Sequence, residues 1–203
     1  MKDPNTLVTH AFLFWESWKR AQQQQHVLPS LQPSSLTNPT HWSPPPVSYL
    51  KVNIDAAMDF VNDCMGFGWV VRDHEGRVQG VAMRKAAGLF SVPEAKAMGA
   101  QEALSWLKSK GWERVIIESD AQVVTRAVDT GDLNTPFGAI VRDVRSLLDQ
   151  FESAAMCFVR RGSNSVAHAL AKQALDQQTH VLVDFSEYMS FFISTLVCKD
   201  IMF

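Results

Sequence analysis

The chain has 203 residues, of which 46% are hydrophobic and 20% are charged. This composition predicts one compact domain with tails, and it excludes a chain that is disordered throughout. Lysine and arginine together number 19 against 21 for aspartate and glutamate, so the net charge is −2. Bulk electrostatic attraction to a phosphate backbone is therefore absent, and a nucleic-acid partner would have to be held by a local patch.

The cysteines and the chain ends indicate an intracellular protein. Cys64, Cys157 and Cys198 are far apart and lack paired metal-ligand spacing, which is typical of reduced thiols in the cytosol or nucleus. Residues 1–13 contain polar side chains and no small-residue cleavage site, so we expect no secretory signal. The apolar run 191–197 is too short to span a bilayer, and we expect no membrane partner.

Composition divides the chain into three zones. Residues 1–47 are predicted to be a poorly ordered extension that ends in a stiff linker containing Pro44, Pro45 and Pro46. Residues 48–178 carry the regular patterns of a folded domain. Residues 179–203 are predicted to form an amphipathic tail that closes over the domain. We expect a monomer.

The domain begins with three predicted strands. Residues 51–55 alternate apolar and polar side chains, with Val52 and Ile54 on one face and Asn53 and Asp55 on the other. This first strand is predicted to end at Asp55. Residues 66–72 and 78–84 flank a turn at 73–76 that contains Asp73 and Gly76, which predicts an antiparallel hairpin.

A helix and a fourth strand follow the hairpin. Ser91 and Glu94 have the spacing of a capping box, and Gly111 is the predicted end of the helix. The apolar run 115–117 predicts a buried strand, parallel to the first because a helix makes the connection. The apolar face of the helix is predicted from Ala97, Ala100, Leu104 and Leu107.

The remaining pattern completes a layered α/β fold. Asp120 is positioned to cap a helix over 121–129, residues 156–159 predict a fifth strand, and Ser163 or Asn164 is expected to cap a last helix over 163–178. The order predicts a five-stranded mixed sheet, with three antiparallel strands and two parallel additions, flanked by helices. A further long helix is predicted from the stripe Phe137, Ile140, Val141, Val144, Leu147, Leu148 and Phe151.

Three acids occupy converging positions in this arrangement. If strands one and four are parallel neighbours, their ends bring Asp55 and Asp120 together, and the connecting helix can bring Glu94 over them. Carboxylates this crowded favour a bound cation, and oxygen ligands select Mg²⁺ or Mn²⁺, a pair of which suits phosphodiester hydrolysis. Taken singly, Glu94 has the alternative of a capping box, Asp120 of a helix cap and Asp55 of a solvated strand end.

Six motifs follow one another in a set order: WSPPP at 42–46, KVNIDAA at 51–57, GFGWVVRD at 66–73, PEAKA at 93–97, ESDA at 118–121 and NSVAHALA at 164–171. Over about 50–178 they resemble the ribonuclease H type 1 family. More narrowly, the chain resembles the plant reverse-transcriptase-like branch of that family, which is related to non-LTR retroelements. The resemblance implies a ribonuclease H-like fold.

The resemblance also implies an activity, namely hydrolysis of the RNA strand of an RNA–DNA hybrid that leaves a 3′-hydroxyl and a 5′-phosphate. Asp55 would bridge two metal ions, and Glu94 and Asp120 would hold one each. Contacts to 2′-hydroxyl groups would select RNA over DNA. Mg²⁺ is the expected ion.

The chain departs from the family pattern near the implied site. His168 stands where the family most often has a fourth carboxylate; it is either a metal ligand that tilts activity toward Mn²⁺ or a partly exposed residue beside a helical stripe. Ala56 replaces a glycine, and residues 160–163 lack the mobile histidine of many members. A basic insertion is missing as well. Nucleic-acid contacts are assigned to Ala56, Arg160, Arg161 and Asn164, although two exposed arginines are also typical of a solvated edge.

Two other functions remain open at this point. The first is a domesticated retroelement domain that binds nucleic acid or a protein without cutting, which His168, the acidic balance and the missing insertion favour. The second is a 3′–5′ exonuclease of the same fold, although the proline-rich lead-in, the hairpin and the segment ESDAQ at 118–122 fit ribonuclease H better. Fold alone does not separate these functions.

Overall fold

The residues around Asp55 form the central strand of a mixed sheet. The computed structural model describes residues 41–130, 134–177 and 182–184, together with Thr195 and Val197. Within residues 41–177 five strands have the bounds Leu50–Asp59 (β1), Cys64–Arg72 (β2), Val78–Ala87 (β3), Arg114–Ser119 (β4) and Ser153–Phe158 (β5). Strands β1 to β3 form an antiparallel meander, while β4 and β5 add in parallel to give the order β5-β4-β1-β2-β3. The predicted α/β fold with a five-stranded mixed sheet is confirmed.

Four helices and one 3-10 turn accompany the strands in the described part of the chain. The capping box predicted from Ser91 and Glu94 forms, with both reciprocal hydrogen bonds present. Gly111 has a φ of 71°, which suits glycine just past a helix end. The bounds are Val92–Ser109 (α1), Gln122–Thr130 (α2), Pro136–Leu148 (α3), Arg161–Asn164 (3-10 turn) and Ser165–Leu175 (α4). None of the described helices is long and apolar enough to cross a membrane.

The alternation along the strands separates two apolar clusters, one on each face of the sheet. The larger cluster packs β1, β2 and β4 against α1, and it includes Ile54, Trp69 and Leu104. The smaller cluster packs the opposite face of β2 and β3 against α4, and it includes Val70 and Leu170. Burial of these side chains is the main force that fixes α1 and α4 against the sheet.

Two glycines of β2 bring α4 unusually close to the sheet. A β-carbon placed on Gly66 would lie 2.2 Å from the Ala171 carbonyl oxygen, and one on Gly68 would lie 2.3 Å from the Ala171 nitrogen. Since both contacts are with helix backbone, a side chain at either position would push α4 away. Gly68 pairs with Asp55 in the sheet, so the same close packing sets how near α4 lies to that acid.

The polar face of β1 begins with a buried hydrogen-bond network. The Asn53 amide nitrogen donates to Glu118 Oε2 at 2.9 Å and to the Ser163 carbonyl at 3.2 Å. The Asn53 oxygen accepts a bond from Arg72 at 2.6 Å. Lys51 Nζ lies 2.8 Å from Glu118 Oε1. The buried charges of Lys51 and Glu118 are paired, and the Asn53 amide is hydrogen-bonded through both its nitrogen and its oxygen, as polar groups inside a fold require.

The segment before β1 packs onto this network. The Arg72 guanidinium carbon lies 3.8 Å from the centre of the Trp42 ring, which is a cation–π contact, and Trp42 is buried. Lys51 Nζ donates to the Ser43 carbonyl oxygen at 2.7 Å. Residues 42–43 therefore contact the domain, although they belong to the zone predicted to be a poorly ordered extension. Residues 1–40 of that zone lie outside the described residues.

Several element ends differ from the predictions, three of them near the site or in its supporting helices. Strand β1 continues past Asp55 to Asp59, because its pairing with β2 runs on after its pairing with β4 stops at Ile54. Helix α3 ends at Leu148, so Phe151 belongs to the apolar stripe but lies beyond the helix. Asn164 occupies the N-cap position of α4 without making a side-chain cap bond, and Ser163 lies within the 3-10 turn.

The tail adds to the sheet. Residues Leu182–Asp184 form a short strand, β6, that pairs antiparallel with β3. Thr195 and Val197 are helical, and Val197 is buried in the cluster beside α4. The expected amphipathic tail over 179–203 thus contains a strand and two helical residues, and the rest of it lies outside the described part of the chain.

Candidate active site

The topology brings Asp55 and Asp120 to one edge of the sheet. Pairing between β1 and β4 ends at Ile54 and Ser119, and each acid is the next residue of its chain segment. Both carboxylates are shielded, with side-chain exposures of 1% for Asp55 and 8% for Asp120. The sequence prediction that parallel strand ends place these two acids together agrees with this geometry.

A lysine that the sequence reasoning did not single out joins the two acids. Lys96 Nζ of α1 donates to Asp55 Oδ1 at 2.6 Å and to Asp120 Oδ1. Burial by itself would lower the pKa of Lys96, but the charge of Asp55 and the hydrogen bonds to both acids outweigh it and raise the pKa above its ordinary value. The side chain is therefore an ammonium ion at neutral pH, and it supplies the cation that crowded carboxylates require.

His168 of α4 supports Asp55 from the other side. Its Nδ1 lies 2.8 Å from Asp55 Oδ2, and its Nε2 lies 2.8 Å from Arg161 NH2. Arg161 NH2 also lies 3.3 Å from Nδ1. The Asp55 carboxylate can only accept, so Nδ1 carries the proton that is donated to it. In this arrangement His168 orients Asp55.

Arg161 connects the histidine to the second acid. Its NH1 lies 3.7 Å from Asp120 Oδ2, while its side chain is 65% exposed. An ion pair this exposed is weak and can rearrange at small cost. With the acids charged and His168 neutral, the charges of Asp55, Asp120, Lys96 and Arg161 cancel.

These side chains line an open cleft of about 260 Å³. Asp55, Lys96, Arg161 and His168 form its polar part. The apolar wall is contributed by the end of β1, the turn after it and the first turns of α1: Ala56, Met58, Phe60, Val92 and Ala95. Asp55 is thus reached through a surface opening, although its own side chain is shielded.

Glu94 is not brought into the cluster. Its Oε2 accepts from the Ser91 backbone nitrogen at 2.9 Å and from Ser91 Oγ at 2.6 Å. These hydrogen bonds lower the pKa of Glu94, the side-chain bond contributing most. The carboxylate therefore performs the capping role that was the alternative interpretation of this residue.

The residues assigned to nucleic-acid contact have different surroundings. Asn164 is buried, and its amide nitrogen donates to the Ile54 carbonyl at 2.9 Å, which ties the 3-10 turn to β1 beside Asp55. This placement corrects the expectation of a surface contact, because the side chain is enclosed. Ala56 and Arg161 line the cleft, and both Arg160 and Arg161 are exposed.

The donors fit one cation position. Two carboxylate oxygens approach a single point closely enough to bind the same ammonium nitrogen, and hard oxygen donors of this kind suit Mg²⁺ or Mn²⁺. Among the described residues, however, no group of three or more His, Cys, Asp and Glu side chains is arranged to hold a metal. Two of the four predicted ligands are bound to protein groups in this structure: Glu94 accepts from Ser91, and His168 Nδ1 donates to Asp55.

Comparison with protein families assigns the domain. A family model described as reverse transcriptase-like matches residues 53–174, which include both acids, Lys96 and His168. The chain belongs to the reverse transcriptase-like family. No curated protein matches this sequence. The match spans β1 to α4, so this reverse transcriptase-like domain contains the whole of the cleft described above.

Solved structures share the fold of this reverse transcriptase-like domain. RNase H1 from the halophilic archaeon Halobacterium salinarum is 24% identical with a TM-score of 0.58, covering 63% of this chain and 98% of its own. LC11-RNase H1, solved in complex with an RNA/DNA hybrid, is 16% identical with a TM-score of 0.56, covering 63% and 96%. The N-terminal RNase H domain of a Mycobacterium tuberculosis protein is 19% identical with a TM-score of 0.55, covering 63% and 94%. The domain therefore has the ribonuclease H fold.

Proposed function

We propose that this domain binds RNA–DNA hybrids and hydrolyses their RNA strand in a reaction that depends on a divalent cation. The observation that carries the proposal is the convergence of Asp55 and Asp120 on one cation position, at the ends of parallel strands in a ribonuclease H fold. Structural similarity to LC11-RNase H1, which was solved with an RNA/DNA hybrid, supports the choice of substrate. Two adjacent carboxylates, of which Asp55 lines an open cleft, suit a reaction on a phosphodiester.

Three residues of the chain position the groups of this site. His168 donates to Asp55 and fixes the direction of its carboxylate. Asn164 ties the 3-10 turn to β1, which keeps Arg161 at the mouth of the cleft. Arg161 is exposed and planar, so its guanidinium is suited to a phosphate oxygen of the substrate.

A divalent ion would be held by Asp55 and Asp120, and it would supply activation of water and stabilisation of the leaving oxygen. Glu94 is the third candidate ligand. It lies in the first turn of α1 beside Val92 and Ala95, which line the cleft, and its participation requires the carboxylate to leave Ser91. The role of His168 in this proposal is to position Asp55, with direct ligation as the alternative.

The test is cleavage of a hybrid labelled on the RNA strand, with Mg²⁺ and with Mn²⁺ in parallel. We expect cleavage by the unaltered chain, faster in Mn²⁺, and a loss of at least about 100-fold in Asp55→Asn and Asp120→Asn. Cleavage no greater than that of Asp55→Asn with either ion would disprove the enzymatic proposal. Duplex DNA and duplex RNA of the same sequence are the substrate controls.

Glu94→Gln separates capping from catalysis. Glutamine also completes a capping box, so the free energy of unfolding should stay within about 0.5 kcal/mol of the unaltered value. Cleavage should nonetheless fall at least about tenfold, because the amide removes a charged ligand. Unchanged cleavage would leave Glu94 with the structural role alone.

His168→Asp tests the fourth position. An added carboxylate strengthens the site toward a hard ion, so the rate in Mg²⁺ should rise relative to that in Mn²⁺. An unchanged ratio would show that residue 168 does not reach the metal.

A second function, binding without cleavage, is favoured by one observation. The charges of both acids are already compensated by Lys96 and Arg161. If hybrids bind with equal affinity in the presence and absence of divalent ions and stay intact, the domain is a binding module. Titration of a fluorescent hybrid in a chelating buffer provides this measurement.

A further inference from the structure

Lys96 occupies the position that a catalytic cation would need. Its ammonium nitrogen donates to one oxygen of each acid, Asp55 and Asp120. Those two oxygens are the atoms through which the pair could share a single ion. A divalent cation and the ammonium cannot both fill this position, because each would lie between the same two oxygens and like charges at that distance repel strongly.

The surroundings allow the ammonium to leave. Lys96 is a partly exposed residue that lines the open cleft, and its four-carbon chain is flexible. The enclosed pair Lys51 and Glu118 differs, because Lys51 is also bound to the Ser43 carbonyl and covered by Trp42. Lys51 is held by three contacts, whereas the Lys96 side chain can move into solvent through the cleft.

We propose that Lys96 is a resident cation that a divalent metal must displace from Asp55 and Asp120, so that it sets the metal concentration at which the site is loaded. The proposal rests on the proposed function only in using the same pair of acids. When the competent state is a fraction of the population, the apparent dissociation constant rises in inverse proportion to that fraction. The ammonium thus weakens metal binding in the resting protein and keeps the buried acids compensated until a metal arrives.

The decisive measurement is Mn²⁺ binding to the full chain, by calorimetric titration and by the electron paramagnetic resonance signal of free Mn²⁺. Lys96→Met removes the ammonium while keeping an unbranched side chain. Lys108→Met is the matched control, because Lys108 lies on the same helix and pairs with Glu113 away from the cleft. It removes the same charge from the protein as a whole.

We expect Lys96→Met to bind Mn²⁺ at least about tenfold more tightly than either the unaltered chain or Lys108→Met. Adding Asp55→Asn to Lys96→Met should abolish the gain, which assigns it to the pair of acids. Lys96→Arg should not bind more tightly than the unaltered chain, since it keeps a cation. Binding by Lys96→Met that is no tighter than binding by Lys108→Met overturns the proposal, as does the absence of Mn²⁺ binding in all variants.

A second measurement on the unaltered chain covers the case in which Lys96→Met fails to fold. Labelling with an amine-specific reagent, followed by mass spectrometry, reports the accessibility of each lysine. Saturating Mn²⁺ should raise the labelling rate of Lys96 several-fold relative to that of Lys108, because the displaced ammonium enters solvent. Equal Lys96 labelling with and without Mn²⁺ contradicts displacement.

The two proposals can fail separately. If Mn²⁺ displaces Lys96 but hybrids are not cleaved, the proposed enzymatic function is wrong and the proposed cation exchange stands. If the unaltered chain cleaves hybrids but Lys96→Met binds Mn²⁺ no more tightly than Lys108→Met does, the proposed cation exchange is wrong and the proposed enzymatic function stands.

Discussion

Two clusters of charged and polar side chains lie on the same face of β1, one around Asn53 and one around Asp55. They differ in how far they are shielded from solvent. Around Asn53 the partners are buried side chains and backbone, and Trp42 covers them. Around Asp55 the partners are Lys96 and His168, which line an open cleft. The difference shows that alternation along a strand selects the face, while the cover over that face decides whether a polar cluster is structural or available for binding.

The largest effect is expected from Gly68→Ala, which disturbs the cluster around Asp55 through its support. The added methyl group would meet the backbone of α4, since its position is 2.3 Å from the Ala171 nitrogen. We expect a loss of about 3 kcal/mol in the free energy of unfolding. Urea denaturation measures it, with Gly88→Ala, where the nearest heavy atom is 3.9 Å away and φ is +90°, marking the cost of backbone strain alone. A loss no larger than that of Gly88→Ala would contradict the packing argument.

Asn53→Ala tests the enclosed cluster. It removes the acceptor of Arg72 and the donor to Glu118 in a place that water cannot easily reach, so the free energy of unfolding should fall by about 2 kcal/mol. Mn²⁺ affinity should remain unchanged if the two clusters are independent. Coupled losses of stability and Mn²⁺ affinity would show that they form one network.

Asp73→Asn tests the turn that follows Arg72. Burial alone would raise the pKa of Asp73, but hydrogen bonds from Arg77 and from the Glu75 backbone nitrogen outweigh it and lower the pKa. A carboxyl with a lowered folded pKa stabilises the protein above its unfolded pKa, and the contribution disappears as the pH falls through the folded value. We expect Asp73→Asn to cost about 1.5 kcal/mol at neutral pH. The cost should shrink in acid, as followed by urea denaturation at several pH values; a pH-independent difference would contradict it.

Of these four substitutions, Asp55→Asn is expected to have the smallest effect on stability. Lys96 keeps Asp120 and has access to solvent, so no buried charge is left uncompensated, and the free energy of unfolding should change by less than about 1 kcal/mol. Cleavage should meanwhile be lost. A destabilisation as large as that of Asn53→Ala would place Asp55 in the same structural class as the enclosed cluster.

The fold could be predicted because its signals are local and periodic. The face of α1 with Ala97, Ala100, Leu104 and Leu107, and the alternation of Val52 and Ile54, depend only on which side of an element is buried. The end of β1 was placed too early, because Asp55 interrupts the pairing with β4 but not that with β2. The sequence of β1 does not show that its pairing with one neighbouring strand ends before its pairing with the other.

The sequence predicts that the two acids of the site lie together, but it does not predict the cationic side chains that pair with them. The convergence of Asp55 and Asp120 follows from parallel topology, whereas the reach of Lys96 depends on the rotation of α1 against the sheet and on a long side chain. One signal was present in the sequence: Lys96 lies among the buried small residues Ala95, Ala97, Gly99 and Ala100, where a charged side chain needs a partner. Glu94, by contrast, had two valid roles, and local capping was satisfied without any distant contact.

Trp42 has a consequence for where the domain begins. Its ring covers Arg72, and the neighbouring Ser43 carbonyl accepts a bond from Lys51, so a piece of chain outside the matched family region 53–174 completes the interior beside β1. A fragment trimmed to start at residue 48 would expose the guanidinium and the underlying polar network to water. We expect such a fragment to express less soluble protein and to be digested by proteases sooner than one that starts at residue 41.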